Sequence, residues 1–181
     1  MATPYELLAG LALLREKKRS LRSEHEQDLK EWAGFSVHIG QQVCLIPCDQ
    51  VEEVMTISSF AGVRGVPAFV RGVAYFRAQL LTVVDMLAFL LPQWRPSSIS
   101  KVFVVRGQQE WFGLQIGEFD GVRHVWSDTP SAPMPAHLSN SWQRYTDQWL
   151  SLEGQIVAVL NARNFVKALE KGELDNLGGR L

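Results

Sequence analysis

The stretch Arg77–Asp85, which reads RAQLLTVVD, recurs 76 positions later as Glu153–Asn161, which reads EGQIVAVLN. In both copies a glutamine precedes an apolar run, and a short polar side chain closes the run. Phe89 and Phe165 extend the match at the same spacing. A strand-forming segment repeated together with its flanking residues indicates one small fold written twice.

A second pair of matching segments lies on the N-terminal side of the first. Gly40-Gln41-Gln42 interrupts the apolar run Phe35–Pro47, and Gly107-Gln108-Gln109 interrupts the apolar run Val102–Ile116. Apolar residues on both sides of a glycine turn are typical of a β-hairpin. Because the elements keep their order in both halves, the sequence predicts a mainly β scaffold with two lobes.

The strands of the repeat end in matching helix starts. Leu80–Val84 is an uninterrupted apolar run, which we expect to form a strand buried on both faces. Asp85 is then placed to cap a short helical turn over Met86–Leu91. In the second copy, Asn161 is the corresponding cap and Arg163–Lys171 the corresponding helix.

The N-terminal residues differ in pattern from the repeat. Thr3-Pro4-Tyr5-Glu6 forms a capping box, which predicts the start of a helix. Charged residues dominate from Arg15 to Lys30, and we expect the helix to end at Ala33-Gly34. The chain therefore divides into a helical extension over residues 1–33, a β domain over residues 34–172 and a flexible tail over residues 173–181.

Composition excludes several classes of protein. The chain has 181 residues, 46% of them hydrophobic, and a formal net charge of −1. It has no overall positive field to attract nucleic acid, and no apolar run of membrane-spanning length. Basic residues follow the first leucine run, which is the wrong polarity for a secretory signal. Cys44 and Cys48 are the only cysteines, so we expect a reduced, cytoplasmic protein.

The longer segment Val66–Asp85 carries a specific order of residue types. It runs from Pro67 through apolar residues to Arg71-Gly72, then through a second apolar stretch to Arg77 and the repeated strand. This order resembles the CheW family of chemosensory coupling proteins, and the resemblance covers about residues 35–170. It implies two intertwined five-stranded, SH3-like β-barrels, to which this chain adds an N-terminal helix and short C-terminal helices.

The sequence departs from the family pattern at three positions. Tyr75 stands where the family usually has asparagine, and Ala78 stands where it usually has glycine. Asn161 closes a strand that often ends in aspartate in the family. The N-terminal extension, together with an aromatic cluster near residue 145, resembles the branch that serves type IV pilus twitching systems more than the flagellar branch.

The resemblance implies a partner-contact surface made of Val51, Glu53, Gly72 and Arg77. Glu53 and Arg77 match an acid and base pair on the coupling surface of the family, and the alternative for them is a plain surface salt bridge. Gly72 would allow close approach of a partner backbone, or would serve only a turn of this chain's own fold. Val51 would face a receptor, or would belong simply to the core.

By the same resemblance, the protein is expected to be a non-catalytic adaptor. It would bridge the cytoplasmic tip of a methyl-accepting chemoreceptor and the regulatory domain of a CheA-type histidine kinase, recruited to membrane receptor arrays, and would control twitching motility. The alternatives are a flagellar chemotaxis adaptor and an unrelated protein-binding β-barrel module whose N-terminal helix dimerises. We expect no cofactor, no nucleic acid and no direct insertion into a membrane.

Residues with catalytic or metal-binding chemistry form no complete motif. Cys44, Cys48 and His38 give an incomplete zinc set, because zinc requires four ligands in closed geometry. We therefore expect no metal, and interpret both cysteines as small buried hydrophobic residues. The remaining histidines belong to no serine or cysteine nucleophile arrangement in the sequence, so a hydrolase would need a triad assembled in space.

Overall fold

The computed structural model describes residues 30–90 and 100–172, which contain ten strands and three short helices. The strands are β1 (Glu31–Ile39), β2 (Gln42–Pro47), β3 (Glu53–Ile57), β4 (Val70–Phe76), β5 (Gln79–Asp85), β6 (Ser100–Arg106), β7 (Trp111–Gln115), β8 (Phe119–Trp126), β9 (Thr146–Leu152) and β10 (Gln155–Leu160). The helices are α1 (Met86–Leu90), α2 (Asn140–Tyr145) and α3 (Ala162–Glu170), and a 3-10 turn, Cys48–Gln50, follows β2.

The strands form two five-stranded sheets that exchange strands between the halves of the chain. The first sheet has the order β8-β1-β2-β10-β9, and the second has the order β3-β6-β7-β5-β4. Since β1 to β5 correspond to β6 to β10 in the repeat, both sheets have the same internal order. Each sheet takes a hairpin from one half and three strands from the other. This confirms the mainly β, intertwined fold that the resemblance implied.

Each sheet contains a parallel and an antiparallel junction between the two halves. In the first sheet, β10 pairs in parallel with β2, and β8 pairs antiparallel with β1. In the second sheet, β5 pairs in parallel with β7, and β3 pairs antiparallel with β6. Neither sheet can therefore form completely from one half of the chain.

A helix predicted at the N-terminus cannot extend to its predicted end. The expected helix end at Ala33-Gly34 is wrong, because both residues lie inside β1, where Gly34 pairs with Pro47. A Cβ atom on Gly34 would lie 2.9 Å from the Trp32 ring, so this glycine makes room for packing rather than for a helix cap. Residues 1–29, with the capping box, and the tail 173–181 lie outside the described residues, so those assignments stay predictions.

Both predicted helix caps are present. At the start of α1, the Ala88 backbone N–H donates to Asp85 Oδ1 at 3.0 Å. At the start of α3, the Asn164 backbone N–H donates to Asn161 Oδ1 at 2.7 Å. The repeat therefore conserves the connection between strand and helix as well as the strands.

Residues that correspond in the repeat meet at the centre of the molecule. The rings of Phe89 on α1 and Phe165 on α3 lie edge to face, with centroids 5.1 Å apart. Tyr145 at the end of α2 completes a triangle, at 5.5 Å from Phe89 and 5.2 Å from Phe165. This cluster belongs to the largest core, which both sheets share, and each barrel adds a smaller core of its own.

Candidate functional site

The predicted acid and base, Glu53 and Arg77, form an ion pair on the second sheet. Glu53 begins β3, and Arg77 lies in the turn between β4 and β5. Arg77 Nη2 donates to Glu53 Oε2 at 3.2 Å, and the two side chains are 62% and 44% exposed. Because β3 and β4 are the edge strands of this sheet, the pair connects opposite edges of the barrel. So exposed a pair adds about 0–1 kcal/mol of stability, and its charges stay accessible to a partner.

The β4–β5 turn presents Arg77 in a defined direction. Arg77 and Ala78 both have left-handed backbones, with φ of 47° and 62°. A two-residue turn of this kind matches the twist of the strands it connects. The Arg77 guanidinium also lies 4.8 Å from the centre of the Phe76 ring. The turn, the ring and Glu53 together restrict where this cation can point.

Two exposed apolar side chains beside Arg77 were not predicted as part of a site. Tyr75 is 74% exposed and Leu80 is 57% exposed, and they face each other across the β4–β5 hairpin. The expected burial of Leu80 on both faces is wrong, because β5 begins to pair with β7 only at Leu81. We call Glu53, Tyr75, Arg77 and Leu80 the Arg77 corner. Exposed apolar side chains on the same hairpin as an exposed charge are typical of protein contact surfaces.

Gly72 is required by this chain's own backbone. It is buried, has φ of 146° and lies where the β4–β5 register shifts. A Cβ atom there would lie 2.2 Å from the Ala61 carbonyl oxygen. Ala61 is held at this distance because it exchanges backbone hydrogen bonds of 2.8 and 2.9 Å with Val73. The close approach that the glycine allows is therefore made within the chain.

Val51 belongs to the edge of the shared core. It is half-buried, packs against the largest core cluster and donates its backbone N–H to the Cys48 carbonyl at 3.2 Å. Of the four residues implied by the resemblance, the structure brings Glu53 and Arg77 into direct contact. Val51 and Gly72 lie on the flanking backbone, and their role in partner contact stays a prediction.

A second ion pair joins the corresponding strand and turn of the first sheet. Arg123 on β8 lies 3.6 Å from Glu153, which is in the turn between β9 and β10. The strands β8 and β9 are the edges of this sheet, and Glu153 and Gly154 have left-handed backbones with φ of 50° and 80°. The signs are reversed, because the turn carries an arginine in one barrel and a glutamate in the other. The turns at the ends of the two barrels therefore have the same backbone conformation and opposite charges.

The cysteines and His38 do not form a metal centre. Cys44 is fully buried, and burial raises the pKa of its thiol, as expected for a core residue. Cys48 is only half-buried, which corrects the expectation for that residue; partial burial and then the Asp49 carboxylate raise its pKa. His38 Nε2 lies 2.7 Å from Asp120 Oδ2 instead. Within residues 30–90 and 100–172, no group of three or more potential ligands is placed to hold a metal ion.

The family model for the CheW-like domain matches residues 33–170. The chain belongs to the CheW-like family. The matched CheW-like region contains nearly all of both barrels, the three helices and the whole Arg77 corner. In the described part of the CheW-like chain, no helix is long and apolar enough to span a membrane.

Two known proteins extend this assignment. The CheW-like chain is 27% identical over 134 residues to Protein PilI of Pseudomonas aeruginosa, an alignment that covers 74% of this chain and 75% of PilI. Its fold is similar to the crystal structure of the scaffolding protein TtCheW from Thermoanaerobacter tengcongensis, with a TM-score of 0.64. That match covers 74% of this chain and 91% of TtCheW at 14% identity, so it supports the fold alone. The resemblance read from the sequence is confirmed.

Proposed function

We propose that this protein is a non-catalytic cytoplasmic adaptor in a chemosensory array. In this proposal it couples the cytoplasmic tip of a methyl-accepting chemoreceptor to the regulatory domain of a CheA-type histidine kinase. A change in receptor state then alters kinase activity through differential contacts with the adaptor.

The observation that carries the proposal is the Arg77 corner. A cation is fixed by a turn, a ring and a carboxylate, and the same hairpin carries two apolar side chains that are more than half exposed. Interfaces gain affinity from buried aromatic and arginine side chains, while the surrounding polar groups set orientation. Tyr75, Arg77 and Leu80 provide such a combination on one hairpin.

We further propose that the output is type IV pilus twitching motility. The alignment with Protein PilI, over three quarters of each chain, supports this branch. Tyr75 gives the corner an aromatic residue where the family usually has asparagine, so the kinase and receptor of the same system should carry a matching apolar surface. A flagellar kinase would then bind this adaptor more weakly than the kinase of the pilus system.

The direct test measures binding of the full chain to each partner separately. Titration calorimetry with the kinase regulatory domain and with the receptor tip should give a loss of at least about tenfold in affinity for one partner when Arg77 is changed to Glu, because the new carboxylate repels Glu53 and reverses the charge of the surface. The matched control is Arg123→Glu, which makes the same change in the ion pair that joins the corresponding strand and turn of the other barrel. If a folded Arg77→Glu protein keeps both affinities and kinase control, the proposal is wrong.

A charge exchange separates contact from positioning. The double variant Glu53→Arg with Arg77→Glu restores an ion pair but reverses its direction. If the partner recognises the sign of the charge at each position, this variant should bind the partner as weakly as Arg77→Glu alone. Recovery of the original affinity would mean that the ion pair only positions the hairpin. Tyr75 and Leu80 would then be the residues that contact the partner.

A further inference from the structure

The outer edge of β3 is open in the second sheet. Within the described residues, β3 pairs with β6 along one edge and with no strand along the other. Across the gap, the edge of β4 is covered at one point, where Ala61 and Val73 exchange backbone hydrogen bonds of 2.8 and 2.9 Å. Because an edge strand presents a row of backbone N–H and C=O groups, an open edge can receive another strand.

The side chains of β3 do not protect this edge. After Glu53 the strand reads VMTI, with no charge, proline or glycine, and its register with β6 has no shift. Proteins usually protect an edge strand with lysines, prolines or a bulge. β3 therefore keeps the features of a strand that can pair.

The equivalent edge of the other barrel is protected. β8 corresponds to β3 in the repeat, and among the described strands it too pairs on one side alone, with β1. It carries the charged residues Asp120 and Arg123, and Arg123 forms the ion pair with Glu153. The β1–β8 register also shifts at Asp120, where β8 has one extra residue. Of these two equivalent edges, β3 has the one suited to pairing.

A groove runs along the open edge and is lined mainly by apolar groups. β3 contributes Met55 and Ile57, and β4 contributes Ala74 and Tyr75 across the gap. The groove has a volume of about 560 Å³, which is within the range of protein sites that enclose a ligand. Met55, Ile57 and Ala74 also pack against the small core of the second barrel. An apolar side chain in the groove would therefore extend a core that already exists.

The strands that line the groove are joined at one end by the ion pair of the Arg77 corner. Glu53 begins β3, and Arg77 follows β4. A guanidinium has five N–H donors, and Arg77 gives Glu53 a single hydrogen bond, from Nη2, while its side chain is 62% exposed. A second carboxylate can therefore pair with Arg77 without displacing Glu53. This charge favours an occupant with an acidic residue at that end.

We propose that β3 receives an extended segment of a partner protein as an additional strand of the second sheet. Because successive residues of a strand face opposite sides, apolar side chains at alternate positions of this segment occupy the groove. An acidic residue at one end of the segment pairs with Arg77. In such strand addition, backbone hydrogen bonds provide affinity and the side-chain pockets provide specificity. The proposal does not depend on the adaptor function, since any protein with such a segment can supply it.

Selection from a displayed library of random eight-residue peptides tests the proposal on the full chain. The selected peptides should carry apolar residues at alternate positions and an Asp or Glu near one end. Thr56→Lys, at an exposed position of β3, should weaken their binding at least about tenfold, because a lysine on an edge strand opposes pairing. The matched control is Val122→Lys, at an exposed position of β8, which should leave binding unchanged. An empty selection, peptides without this pattern or equal binding to Thr56→Lys would each overturn the proposal.

Hydrogen exchange locates the peptide on the chain. A saturating selected peptide should slow exchange of the alternate β3 amides that face away from β6 at least about tenfold, and should leave the β8 amides unchanged. Slow exchange of these β3 amides without peptide would mean that the edge is already covered. Protection that rises with protein concentration would mean that a second copy covers it. Either result would overturn the proposal.

A double-mutant cycle tests the position of the acidic residue. Arg77→Ala in the protein, and the change of the peptide's acidic residue to its amide, should each weaken binding about two- to fivefold, as expected for an exposed ion pair. The two losses should not add, because both changes remove the same contact. Additive losses would show that the acidic residue does not lie at Arg77 and would overturn the proposed orientation of the segment.

Discussion

Ala78 has a left-handed backbone conformation that is strained for alanine. Its counterpart in the repeat, Gly154, adopts a left-handed conformation without strain. Ala78 has φ of 62°, in a region that costs an L-residue about 1–2 kcal/mol. Glycine would remove that strain but lose more entropy on folding. We expect Ala78→Gly to stabilise the protein by about 1 kcal/mol net, measured as a higher midpoint of urea unfolding.

The reverse change in the other barrel is the matched control for Ala78. Gly154 has φ of 80°, and a Cβ atom there would meet nothing within 4 Å, so Gly154→Ala tests the backbone alone. It should destabilise the protein by a similar amount. If both variants shift the midpoint in the same direction, backbone strain does not explain the difference between the turns.

The buried carboxyl group of Asp85 should make the stability of the protein depend on pH. Its side chain is fully buried, and Oδ2 has no hydrogen-bond partner among the described residues. Burial therefore raises the pKa of this carboxyl, although hydrogen bonds from the Ala88 and Leu87 amides and the charge of Arg71 oppose the shift. Because the folded state favours the neutral acid, stability from this group is present below its ordinary pKa and is lost as the pH rises through the raised value.

Replacing Asp85 with Asn should remove this pH dependence. Asn keeps an oxygen for the Ala88 N–H, as Asn161 does for Asn164 in the second copy. Unfolding measured from pH 4 to pH 7 should show Asp85→Asn gaining stability relative to the unaltered chain as the pH rises. A constant difference across this range would contradict a raised carboxyl pKa.

The sequence indicates the charged residues of the candidate site but not its apolar ones, for a physical reason. Arg77 belongs to a pattern of unlike residue types in a fixed order, which sequence can carry, and Glu53 was implied by the same family resemblance. Leu80 begins an apolar run that continues into the core, and its exposure follows from where β7 starts to pair. The requirement for Gly72 depends on the Ala61 carbonyl, whose position is set by a tertiary contact.

At the level of elements, Glu170 connects the end of α3 to the turn between β6 and β7. Its Oε1 accepts backbone N–H groups from Gln108 at 2.7 Å and Gln109 at 3.1 Å. A Cβ atom on Gly107 would lie 2.3 Å from the same oxygen, so a side chain there would displace the Glu170 carboxylate. This carboxylate satisfies two amides that the hairpin leaves unpaired.

Removing the Glu170 carboxylate should loosen this turn. We expect Glu170→Ala to destabilise the protein by about 1 kcal/mol and to speed exchange of the Gln108 and Gln109 amides. Glu170→Gln should have a smaller effect, because its amide oxygen still accepts. Lys167→Ala, which changes an exposed residue in the last turn of α3, should leave both amides unchanged. An equal effect there would mean that α3 acts through its packing alone.

The start of β1 shows why element boundaries were harder to predict than elements. Opposite charges at helical spacing continue up to Lys30, and Ala33-Gly34 is a common way to end a helix. The chain instead becomes a strand at Glu31, because Glu31 pairs with Trp126 on β8 and Trp32 packs against the core of the first barrel. Trp126 and all of that core except Leu45 lie more than 90 positions away, so no local pattern reports them.

At the scale of the whole molecule, the repeat and the fold divide the chain differently. Similar sequences mark two halves, whereas each sheet combines strands from both halves. The repeat alone predicted two lobes, and only the family resemblance implied that they intertwine. Strand exchange also places Phe89 and Phe165, which correspond in the repeat, in contact at the centre. The lobes should therefore unfold together in a single transition.

Cutting the chain between the halves should abolish both lobes. A fragment of residues 1–95 holds β3 without its partner β6, and a fragment of residues 96–181 holds β8 without its partner β1. Each fragment alone should lack a cooperative melting transition, because every sheet has lost strands from its interior. An equimolar mixture should regain the transition and the sheet signal in circular dichroism, with the uncut chain refolded in parallel as the control. If either fragment melts cooperatively by itself, that half can complete a barrel alone, and the strand exchange is not what holds the two lobes together.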